Sequence, residues 1–80
     1  MTTEEMYKAT TEAYRRVRKK NDETVITYDD RGVYLSGGCC LHKYGNEWVA
    51  EGVSWDLFKR IVRYIKKTYK VWIDDEIFKL

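Results

Sequence analysis

From Ser54 to Lys70 the residues sort into two clean faces when wound as a helix. Phe58, Ile61, Val62, Ile65 and Tyr69 fall on one side, with Trp55 at its border. Lys59, Arg63, Lys66 and Lys70 fall on another, flanked by Arg60 and Lys67. This is the three-and-four rhythm of an amphipathic helix. Its apolar stripe has to be covered by a second layer, and its basic row faces outward. In a chain of 80 residues that second layer belongs to the same small core.

The rest of the chain supplies the layer. Thr2 followed by Glu5 predicts a capping box at the start of a first helix. Met6, Ala9, Ala13 and Val17 share one face of it, with Tyr14 at the edge, and Asn21 and Asp22 are its terminators. Thr24 to Tyr28, β-branched and aromatic, predicts a strand. Asp29-Asp30-Arg31-Gly32 predicts a turn, with Gly32 free to take positive φ. Val33 to His42 reads as a second strand, bulged or bent at Gly37-Gly38. Tyr44-Gly45-Asn46 is the next turn and Glu47 to Glu51 the third strand, by alternation. Ser54 is the expected N-cap of the amphipathic helix. After it, Val71-Trp72-Ile73 reads as a short strand, and Asp74 to Leu80 as either a helical turn or an extended edge.

The expected fold is therefore α+β, in one domain over residues 1–80: a helix, a three-stranded antiparallel sheet, a helix, and a short C-terminal strand or helical turn. Both helices pack on one face of the sheet, against Ile26, Leu35 and Trp48. The opposite face carries Val25, Thr27, Tyr34, Ser36, Glu47, Val49 and Glu51. Two readings of that face stay open: a docking surface, or a surface roofed by the C-terminal segment with Trp72 and Phe78.

Composition narrows the function classes. A formal charge of +2 is too mild to imply nucleic acid by itself, so local grouping matters more. Arg15, Arg16, Arg18, Lys19 and Lys20 form one basic cluster, and Asp74, Asp75 and Glu76 an acidic one. With 3 Trp and 7 Tyr, the aromatics supply both core area and anchors for a binding surface. The N-terminal segment is polar and no apolar run is long enough to span a bilayer. Cys39 and Cys40 are adjacent, which disfavours a bond between them. Reduced thiols and a cytoplasmic setting, of a host cell if the chain is viral, are the expectation.

Catalytic chemistry is sparse. Cys39, Cys40 and His42 are the one cluster of soft ligands, too tightly spaced for the paired ligands of a structural zinc site and short of a fourth. Cys40 and His42 share a side of a strand, yet direct neighbours on one face sit beyond the reach a nucleophile and its base require. Gly37-Gly38 lacks the lysine and helix start of a phosphate loop. The expectation is a non-enzyme with no metal and no cofactor.

The order helix–strand–strand–strand–helix resembles the double-stranded RNA-binding domain in topology. Trp55-Asp56-Leu57-Phe58 stands where that domain opens its second helix with basic residues, so no residue roles carry over. Gly45-Asn46-Glu47-Trp48-Val49, the Phe58–Ile65 apolar helix and the acidic Asp74–Glu76 segment together resemble small phage-encoded anti-CRISPR proteins, one of which inhibits a type II CRISPR nuclease. That resemblance implies a protein that acts by occupying a surface of a larger complex.

Two functional expectations follow. In the first, the chain inhibits or modulates an intracellular protein or ribonucleoprotein complex, as a monomer or homodimer, with Lys59, Arg63, Lys66, Lys70, Tyr34, Asp74, Asp75 and Glu76 as its contact residues. In the second, the basic helix and the Arg15–Lys20 cluster bind nucleic acid directly. The two differ in whether both basic groups lie on one surface.

Overall fold

The first helix, α1 (Thr3–Val17), begins at the expected capping box. The Glu5 amide donates to Thr2 Oγ1 at 3.1 Å, and the Thr2 amide donates to Glu5 Oε1 at 2.8 Å. Two orphan N–H groups are thereby satisfied at once. The computed structural model describes residues 1–79; Leu80, the end of the predicted C-terminal segment, lies outside the described residues. The helix ends at a polar knot. Tyr14 Oη donates to the Asp22 carboxylate at 2.6 Å, and Thr24 donates to the same oxygen through its amide (3.0 Å) and its hydroxyl (2.7 Å). These bonds hold the Asp22 carboxyl below its ordinary pKa, the Tyr14 hydroxyl contributing most.

Four strands then run as a meander: β1 (Ile26–Tyr28), β2 (Gly32–Leu35), β3 (Cys39–Tyr44) and β4 (Glu47–Gly52). The second helix, α2 (Asp56–Tyr69), follows, and β5 (Ile73–Asp74) returns to pair parallel with β4. A short 3-10 turn, Glu76–Lys79, closes the described chain. The sheet is thus five-stranded and mixed, in the order β1-β2-β3-β4-β5, where three antiparallel strands were expected.

The difference has local causes. Gly37 and Gly38 take φ of +99° and +90° and make a hairpin turn, not a bulge, so Leu35 folds back to pair with Cys39. Gly32 does not adopt positive φ; it sits buried in β2, where a Cβ would collide with the Leu41 carbonyl oxygen. The N-cap of α2 is Trp55, without a side-chain cap bond, and not Ser54. The strand expected at Val71–Ile73 lies instead at Ile73–Asp74, and of the two readings of the segment after it the helical turn forms over Glu76–Lys79, where the Asp74 carboxylate accepts from the Glu76 amide at 3.2 Å.

Both helices lie side by side on one face of the sheet. Met6, Ala9 and Ala13 of α1 and Phe58, Ile61, Val62 and Ile65 of α2 bury against Val33, Leu35, Cys39, Leu41, Trp48, Ala50 and Ile73. Ile26, expected in the core, is half-buried at its margin. Tyr69 leaves the apolar stripe and donates its hydroxyl to the Glu12 carboxylate, tying α2 to α1.

Candidate functional site: the basic face of the two helices

Lys59, Arg63 and Lys67 recur every fourth residue of α2, stepping about 6 Å along its axis. Two depressions flank this line. One, of about 490 Å³, lies between α2 and the 3-10 turn and is lined by Lys59, Arg63, Lys66, Lys67, Asp75, Phe78 and Lys79. Phe78 packs edge-on against Phe58, with centroids 5.7 Å apart, and gives that groove an apolar floor. The other, of about 430 Å³, lies between α2 and the end of α1 and is lined by Arg16, Val17, Arg60, Arg63, Tyr64 and Lys67. Arg63 and Lys67 belong to both, so the depressions form one basic surface across the two helices.

Not every cation on this face is free. Lys66 Nζ lies 3.2 Å from the Asp75 carboxylate and 4.3 Å above the Trp72 ring. Arg60 pairs with Asp56 at 3.2 Å, one turn earlier. Among the described residues, Arg16, Lys59, Arg63, Lys67 and Lys79 have no ion-pair partner. These five carry the uncompensated charge.

The structure therefore divides the expected contact residues. Lys59, Arg63 and Lys66 come together with Asp75, whereas Lys70 takes the left-handed C-cap position (φ 54°) and does not line the groove. Asp74 caps the 3-10 turn and Asp75 neutralises Lys66, so this acidic segment has internal partners; Glu76 is exposed beside it. Tyr34 lies on the far face of the sheet, its hydroxyl donating to Asp29 at 2.8 Å and bracing the β1–β2 turn. The Arg15–Lys20 cluster also splits. Arg16 joins α2, Arg15 and Arg18 line a depression beside Thr24 and Ile26, and Lys19 and Lys20 are exposed in the following segment.

The far face of the sheet is not roofed by the C-terminal segment. Phe78 goes to Phe58 on the helical side, and Trp72 remains 68% exposed. On that face Tyr34, Cys40 and Glu51 lie in one cross-strand row, with His42 and Val49 in the next. Cys39 and Cys40 point to opposite faces and are both free thiols. Cys39 donates to the Val53 carbonyl at 2.9 Å inside the core, and burial pushes its pKa up. Burial, then the Glu51 charge, push the Cys40 thiol up as well. Glu51, which sequence reasoning placed only on the open face, meets His42 Nδ1 at 3.2 Å. The signal for it was present: a two-residue turn at Gly45-Asn46 pairs Tyr44 with Glu47 and so sets Cys40 opposite Glu51.

No family model, no curated protein and no solved structure matches this chain. Among the described residues no helix is long and apolar enough to cross a membrane.

Proposed function

We propose that this chain is a non-enzymatic binding protein that modulates a nucleic-acid-bearing complex by laying its two-helix face on the phosphate backbone. The observation that carries this reading is the sharing of Arg63 and Lys67 between the two depressions, which joins Arg16 of α1 to the basic row of α2. Two basic groups that are 47 positions apart, from Arg16 to Arg63, thereby become one surface. Of the five cations that lack an internal partner among the described residues, four are spaced along the two helices and the fifth, Lys79, stands on the 3-10 turn. That arrangement suits repeated contacts to a regular polyanion, which positions a protein without reading sequence.

The test is fluorescence anisotropy with labelled duplex DNA, duplex RNA and single strands, at low and near-physiological salt. Micromolar or tighter binding that weakens steeply with salt is the expected result. Absence of binding to every probe at low salt would refute the proposal.

A further inference from the structure

The open face of the sheet holds three different metal-ligating groups in one place. The Cys40 thiol, a His42 ring nitrogen and a Glu51 carboxylate oxygen all lie within 4.8 Å of one another. We propose that Cys40, His42 and Glu51 form a binding site for a borderline divalent transition cation, Zn²⁺ being the best match, on the face opposite the helices.

The register of the sheet builds the site. Cys40 and His42 alternate onto the same face of β3, and Glu51 is the cross-strand partner of Cys40 on β4. Tyr44, the next residue on that face, braces both neighbours. Its ring stacks on His42 with centroids 4.4 Å apart and an 11° interplanar angle. Its hydroxyl donates to the Glu51 carboxylate, at 2.9 Å from Oε1 and 3.0 Å from Oε2. A ligating carboxylate held by an outer hydrogen bond is a common feature of protein metal sites.

The distances suit coordination. With bonds of about 2.0–2.1 Å from zinc to nitrogen or oxygen, two tetrahedral ligand atoms sit about 3.3 Å apart. His42 Nδ1 and Glu51 Oε1 are 3.2 Å apart. A zinc–sulfur bond of about 2.3 Å puts sulfur about 3.5 Å from the other ligands. Cys40 therefore has to close by at most about 1.3 Å from the 4.8 Å limit, which side-chain rotation can supply. Cation binding displaces the thiol proton to solvent and leaves a thiolate–metal bond. The ligand set selects the metal: a thiolate and an imidazole with one carboxylate suit zinc, whereas magnesium and calcium take oxygen ligands. Three protein ligands on an open face leave a fourth position accessible to water or to a partner's donor.

The test titrates Co²⁺ and then Zn²⁺ into the reduced, chelator-treated protein. One equivalent of Co²⁺ should give a thiolate-to-cobalt charge-transfer band and strong tetrahedral d–d absorption, both displaced by Zn²⁺. Cys40→Ser should abolish the charge-transfer band. His42→Ala and Glu51→Gln should each weaken Zn²⁺ affinity at least tenfold against a competing chromophoric chelator, and Tyr44→Phe about tenfold. Cys39→Ala should leave the band intact, and far-UV circular dichroism verifies the fold of each variant. Absence of a charge-transfer band in the unaltered protein, or its persistence in folded Cys40→Ser, would overturn the assignment.

Discussion

Replacing Arg63 and Lys67 together by glutamine tests the proposed surface at the point where its two halves meet. Counting Arg16, Lys59, Arg63, Lys67 and Lys79 as one phosphate contact each gives a slope of log affinity against log salt of about −4.5 on duplex DNA. Affinity then falls about 500-fold over a fourfold rise in salt. With Arg63 and Lys67 neutralised the slope becomes about −2.7 and the fall about 40-fold. Both residues are exposed, so the double variant should keep its stability within about 0.5 kcal/mol. A second variant works in the opposite direction. Asp75→Asn releases Lys66 from its ion pair, adds a sixth free cation and should steepen the slope by about 0.9. Anisotropy titrations at four or five salt concentrations measure all three slopes. An unchanged slope in the Arg63→Gln, Lys67→Gln variant, or an unchanged slope in Asp75→Asn, would refute the electrostatic reasoning.

Three further outcomes probe the fold that carries the surface. Phe58→Ala removes a fully buried ring from the centre of the core and should cost about 3–5 kcal/mol in urea unfolding. Gly52→Ala should cost far more than Gly45→Ala: both positions have positive φ, but a Cβ at Gly52 strikes the Gly38 carbonyl oxygen, whereas one at Gly45 meets nothing within 4 Å. Tyr69, whose bond to the Glu12 carboxylate pushes its pKa up to about 12 from 10.0, retains its proton in the folded state after it would be lost in the unfolded chain. Its contribution is complete below about pH 10 and is lost as pH rises towards 12, so the urea midpoint should fall more steeply over that window than in Tyr69→Phe.

The features legible in the sequence are those set by neighbours. The two faces of α2 and the Thr2–Glu5 box depend on residues three and four apart, and both form as the spacing implies except at the end of α2, where Tyr69 and Lys70 depart from their faces. The number of strands depends on partners far along the chain. Two glycines within an extended run fit a bulge or a turn equally well, and the pairing of Leu35 with Cys39 decides for a turn. The Val71-Trp72-Ile73 run marks a strand near β5, but its bounds and its parallel pairing are set only when α2 returns Ile73 alongside Trp48. The basic row on α2 was visible by spacing, and its division into paired and free cations was not. Asp75 reaches Lys66, and Arg16 reaches the α2 surface, only after the helices have packed.

The alternation of β3 has a consequence for reactivity. At consecutive positions the strand carries one thiol sealed between helix and sheet and one on the uncovered face. An alkylating reagent meets Cys40 in the native molecule, but reaches Cys39 only when the helical layer lifts from the sheet. Two neighbouring atoms of sulfur thus keep separate clocks, the first set by surface access and the second by the rate at which the core opens.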